Sequence, residues 1–222
     1  LKLDRKILLI GALVVFLVTA SFGTKYLFLF NKGQDFVEYI NYKMSRPALP
    51  LPKEIKNVQE FEFSRVTVAG NYVYKHEFLV KHKNVNGKAS YQVFVPFKRA
   101  SGQMVMVDRG LISEDTIGEI VRPKGLIKLE GVVVAPAVAE EGVQNDPEKD
   151  SWYWADLDAM AKKAKVNKFL PVIIKAIEKY PYPVSDKIRV VAGVENLNLA
   201  VIWYALSLLI LFLLRLNYQK YR

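Results

Sequence analysis

Residues 89–112 read ASYQVFVPFKRASGQMVMVDRGLI, two apolar runs divided by the turn pair Ser101–Gly102. Runs of this length, rich in Val, Phe and Met and bounded by turn formers, read as β-strands. Upstream, FEFSRVTVAGNY (61–72) alternates, with Phe61, Phe63, Val66 and Val68 on the apolar beat of a half-buried strand. YVYKHEFLVKHK (72–83) follows across a Gly70–Asn71 break, and Asn86–Gly87 supplies the turn into residue 89. Downstream, LIKLEGVVVAP (126–136) follows Pro123-Lys124-Gly125. Five strands with short turn signals predict an antiparallel sheet or barrel, and closure would remove the exposed edges.

Beyond the strands, 139–150 reads as a polar loop. Residues 151–165 read as a helix with Asp156 as cap and Leu157, Met160, Ala161 and Ala164 on one stripe. A short buried strand over 170–180, broken by Pro-Tyr-Pro, and a last strand over 187–194 complete the middle. Before it, Phe36, Tyr39, Ile40 and Met44 space a short helix that stops at Arg46–Pro47. RPALPLP (46–52) then forces extended backbone and reads as a stiff spacer.

Both ends of the chain are apolar. Residues 197–214 carry no charge before Arg215, and 7–30 are interrupted only by Lys25. A bilayer core takes about 20 such residues. The expected fold is therefore α+β: a first transmembrane helix over 7–30, a β-rich domain with one or two helices over 31–196, and a second transmembrane helix over 197–214. Short basic flanks, 1–6 and 215–222, close the two ends. A signal peptide cleaved after Ala20 is the alternative for the first span, but the apolar run continues to Phe30, which favours a retained anchor.

The formal charge is +10. Lys2, Arg5 and Lys6 outweigh Asp4, and Arg215, Lys220 and Arg222 end the chain, leaving about +4 dispersed over the middle. A nucleic-acid binder gathers its charge on one face, so that class is excluded. Basic flanks on both spans put both termini inside and the middle outside; a bacterial inner membrane with a periplasmic domain is the expected home. Absence of cysteine rules out disulfides and thiolate metal sites.

Little in the chain suggests catalysis: there is no Walker, GxGxxG, HExxH or GxSxG motif. Asp146 and Asp156 are the candidate acid–base pair, with no recognisable orienter. His76 and His82, on one continuous strand, would share a face yet lie about 20 Å apart, too far for one metal. Asp108-Arg109-Gly110, near a strand end, reads as an ion pair with a glycine bend, or as an arginine placed to hold a carboxylate. Trp152, Tyr153 and Trp154 cannot all point inward, so at least one meets a partner, an interface or a flat ligand. Glu195, Asn196 and Asn198 at the start of the second span read as a polar helix start with an asparagine cap, or as a polar lip.

In this order the segments RPALPLP, FSRVTVAGNY, VFVPFKRASGQMVMVDRGLI, EGVVVAPAV, QNDPEKDSWYWADLDAMA and NLNLAVIWYALSLL resemble the Surfeit locus protein 1 family, the Shy1-type cytochrome c oxidase assembly proteins. The resemblance covers nearly the whole chain. It implies a non-enzymatic factor with oxidase subunit I as partner, besides the lipid bilayer, and haem a as cofactor. By it, Arg109, Trp152, Trp154, Asn196 and Trp203 are candidates for porphyrin contact, and Asp108, Arg109 and Trp152 for docking. Three positions depart from the family pattern. Asn196 stands in place of a histidine at the head of the second span, Lys25 in place of a tryptophan after the first, and Leu111 in place of another tryptophan. Asparagine is not a strong axial ligand for iron. The rival expectation is a two-span envelope scaffold unrelated to respiration.

Overall fold

The closing ladder decides the architecture. In the computed structural model, which describes residues 5–85, 88–137, 142–177, 179–185, 188 and 192–220, seven strands run in the order β1-β2-β6-β7-β5-β4-β3, and β2 also pairs with β4. The strands are β1 (Leu49–Pro50), β2 (Arg65–Tyr72), β3 (Phe78–Val85), β4 (Lys88–Arg99), β5 (Met104–Ser113), β6 (Ile127–Val134) and β7 (Phe169–Ala176). The extra pairing turns β2-β6-β7-β5-β4 into a closed ring, with β1 and β3 hung on its flanks. Gly70 makes the closure possible, since a Cβ there would lie 2.1 Å from the Lys98 carbonyl oxygen.

The barrel is not wholly antiparallel. β5 pairs with β7 in parallel, as β1 does with β2. A parallel step needs a crossover, and residues 114–168 supply it, carrying β6 and α3 (Leu157–Ala164). Alternate residues of each strand fill the inside, among them Val93, Val95 and Phe97 of β4 and Val105 and Val107 of β5. On the outside, Phe78, Phe94, Met106 and Ile173 are covered by Trp152 and by Met160, Ala161 and Ala164 of α3.

Several expectations are corrected. Gly70–Asn71 does not break the chain, because residues 70–72 carry the closing ladder. Instead β2 ends at Tyr72 and a 3-10 turn, Tyr74–His76, precedes β3; His76 and His82 therefore do not share one strand. RPALPLP is not a free spacer: Leu49–Pro50 add to β2, Leu51 is buried, and Arg99 donates to the Leu51 and Pro52 carbonyls at 2.6 and 2.8 Å. The helix after the polar loop is shorter than 151–165, starting at Leu157, because Trp152 bridges to Val80 of β3. Most of the strand expected over 187–194 lies outside the described residues.

The chain divides into two units, one of residues up to 41 with those from 189 onward, the other of residues 42–188. In the first, α1 (Arg5–Ser45) is a single helix of 41 residues where a span and a separate short helix were expected. At 1.5 Å per residue it is about 60 Å long, roughly twice a hydrocarbon core. α4 (Val194–Lys220) packs beside it. Ser207 Oγ donates to Thr19 Oγ1 at 2.7 Å, both residues being buried. Thr24 Oγ1 and Tyr204 Oη lie 3.0 Å apart, and Trp203 stacks on Phe22 with centroids at 4.9 Å. Both helices are long and apolar enough to cross a membrane.

Candidate functional site

β5 carries the pair that organises the site. On β4, Val93 faces Gly110 and Phe94 faces Asp108, so Arg109 is one extra residue, a β-bulge in mid-strand. Asp108-Arg109-Gly110 is thus not at the strand end. Gly110 has φ +113°, and a Cβ there would lie 2.1 Å from the Val184 carbonyl oxygen. Leu111 and Val184 exchange backbone hydrogen bonds at 2.9 and 2.8 Å alongside it.

The bulge sends the two charged neighbours apart. Arg109, fully buried, points to the inner side, where its guanidinium lies 5.1, 5.7 and 5.9 Å from the ring centres of Tyr72, Tyr74 and Tyr180. It donates to the Val121 carbonyl at 2.8 Å. Aromatic faces attract a guanidinium most when water is excluded. Asp108, 5% exposed, points outward. Its oxygens accept from Gln92 Nε2 at 2.6 and 2.7 Å and from the Gly110 N–H at 2.9 Å, and Lys175 Nζ lies 3.7 Å away.

Asp108, Gln92 and Lys175 form the polar floor of a cleft of about 650 Å³, within the usual size range of ligand pockets. Its apolar walls include Val80, Phe94, Val134 and Ile173, and Lys81, His82, Tyr153 and Trp154 also line it. Asn145 holds the aromatic wall: its Oδ1 accepts from the Tyr153 and Trp154 N–H groups at 2.8 and 3.3 Å, and its Nδ2 donates to the Trp154 carbonyl at 3.1 Å. Lys81 Nζ donates to the Tyr153 hydroxyl at 3.1 Å and sits 4.4 Å from that ring's centre. That hydrogen bond, with the charge behind it, lowers the Tyr153 phenol from its ordinary range.

The sequence-derived candidates separate accordingly. Asp108 and Trp154 meet in the cleft. Trp152 is buried beneath the surface, edge-on to Phe78, with its indole N–H donating to Asp150 at 2.9 Å, so it is core rather than a contact residue. Arg109 lies on the other face of β5. Asp156 caps α3, accepting from the Asp158 and Ala159 N–H groups. Asp146 closes the 146–151 turn, where the Lys149 backbone N–H, then its ammonium, lower the carboxyl from its ordinary value. Asn196 is not a cap: α4 begins at Val194, so Asn196 lies half-buried in its first turn.

Gln92 and Lys175 had not been singled out from sequence. The signal was present in each case, a polar residue interrupting an apolar strand run in SYQVFV and VIIKAI. Among the described residues no cluster of three or more His, Cys, Asp or Glu side chains is placed to hold a metal ion.

The model of the SURF1 family matches residues 29–208, from α1 through the barrel into α4. A SURF1-like protein of Monosiga brevicollis is 27% identical over 213 residues, covering 86% of this chain and 79% of the relative. Surfeit locus protein 1 of Xenopus tropicalis is 23% identical, covering 87% and 70%. Cytochrome oxidase assembly protein SHY1 of Saccharomyces cerevisiae is 31% identical over 78 residues, 34% of this chain and 20% of that protein. A match that takes in the helix pair and the whole barrel is a match of the full architecture, and the chain belongs to the SURF1 family.

Proposed function

We propose that this chain is a non-enzymatic assembly factor for a haem–copper cytochrome c oxidase, stabilising subunit I and so supporting haem a insertion into it. The observation that carries this reading is the continuous family match over 29–208, together with a relative that bears the name of a cytochrome oxidase assembly protein. The two acids that an enzyme reading would need favour it too, since Asp146 serves a turn and Asp156 a helix cap. Basic flanks on both apolar helices favour cytoplasmic termini and an outer, periplasmic barrel.

Haem a does not fit the position the family resemblance assigns. Residue 196 carries an amide where an axial ligand needs an imidazole. Trp203, the other candidate on α4, stacks on Phe22. The reading is therefore one of partner stabilisation, with no step routed through a haem held on α4.

Affinity isolation of the tagged full chain from mildly solubilised membranes tests it. Subunit I should be recovered before the other oxidase subunits join. Recovery of envelope proteins with no oxidase subunit would favour the scaffold reading instead.

A further inference from the structure

We propose that the cleft above Asp108 docks an extended partner segment in which a carboxylate side chain is flanked by apolar ones. The proposal rests on the assembly reading only for the partner's identity, which would be oxidase subunit I.

Charge complementarity selects the occupant. The cleft is lined by two lysines and a histidine (Lys81, His82 and Lys175) against one carboxylate, Asp108. Both Asp108 oxygens already accept from Gln92, so the floor is neutralised from within and the cationic rim is left to face an incoming acid. An ammonium has three N–H donors. Tyr153 takes one from Lys81, and the same lysine is solvent-exposed, so it can reach a carboxylate without losing its packing. The aromatic wall suits a protein partner: Tyr153 is 44% exposed, Trp154 is half-buried, and Tyr and Trp dominate interface anchors. Val80, Phe94 and Ile173 supply the apolar walls. The Asn145 clamp holds the aromatic segment by three hydrogen bonds, so docking has little ordering cost to meet.

The experiment is site-specific photo-crosslinking of the full chain in its native membrane, with p-benzoylphenylalanine replacing Tyr153 and mass spectrometry of the product. The expected product is a subunit I peptide with Asp or Glu among apolar residues. Its yield should fall at least tenfold in Lys81→Glu or His82→Glu, and stay unchanged in Lys128→Glu, an exposed lysine of β6 outside the cleft. All three positions are exposed, and a thermal shift within a degree of wild type checks the fold. Crosslinks to lipid alone, a crosslinked peptide without a carboxylate, or yield insensitive to both reversals would overturn the proposal. Co-isolation of subunit I without any crosslink from residue 153 would sink the docking site and leave the assembly reading standing. A crosslinked acidic–apolar segment in a non-oxidase protein would do the reverse.

Discussion

Asp108 and Arg109 are adjacent in sequence and live in opposite surroundings. Arg109 is sealed on the inner side of β5 by three tyrosine rings and a backbone carbonyl. Asp108 faces an open cleft of about 650 Å³ with Gln92 and Lys175 beside it. One bulge residue produces the difference. In an unbulged strand the two would still face opposite ways, but every residue after them would change face, and Ile112 would leave the core it now occupies. The lesson is that a motif such as Asp-Arg-Gly need not act as one site. Its arginine works for the barrel, its aspartate for the cleft, and its glycine for the turn between them.

The largest expected effect breaks the inner side. Arg109→Ala removes a fully buried guanidinium, strands the Val121 carbonyl and empties the space between the tyrosines; losing a buried charged partner costs about 3–5 kcal/mol. Urea unfolding of the full chain in micelles should read that loss as a lower midpoint. Gly110→Ala follows, at about 1–3 kcal/mol for a strained backbone position, with the Val184 clash added. It should disturb both surroundings at once, where Arg109→Ala disturbs one.

Asp108→Asn is milder. The new amide turns donors toward Gln92 and Lys175, and a buried hydrogen-bond mismatch costs about 1–3 kcal/mol. It should weaken the cleft crosslink through a displaced Lys175 while leaving near-ultraviolet signals of the inner tyrosines unchanged. The smallest effect is pH-linked. The Asp146 carboxyl is held below its ordinary value by the Lys149 backbone N–H and ammonium. Its contribution is therefore full above the unfolded pKa, about 3.9, and lost as pH falls through the folded value. Asp146→Ala should match wild type in acid and fall below it at neutral pH, with the Trp154 emission reporting a looser aromatic wall.

Which parts were legible in the sequence follows from what sets each one. Alternation and turn pairs set the strands, so β4, β5 and β6 were read within a few residues, and the cap at Asp156 was found from its side chain. Barrel closure depends on three residue pairs between β2 and β4, and Gly70, which permits the approach, looks in sequence like a break. The continuity of α1 was hidden by Asn31-Lys32-Gly33, a run that reads as a stop yet is helical here. Gln34 donates to the Ala192 carbonyl at 2.9 Å one residue beyond it, a tertiary contact no local pattern announces. The bulge at Arg109 was equally silent, because register shifts are fixed by pairing. The aromatic trio was legible only as a conflict: Trp152 is buried and Tyr153 exposed, as three consecutive large side chains require.

The central claim is that this member of the SURF1 family serves the oxidase, and a reduced-minus-oxidised visible spectrum of membranes lacking the chain tests it most directly. The account predicts a fall in the haem a band with the haem b band retained, restored by wild type and not by Arg109→Ala. Unchanged haem a and haem b bands would contradict it.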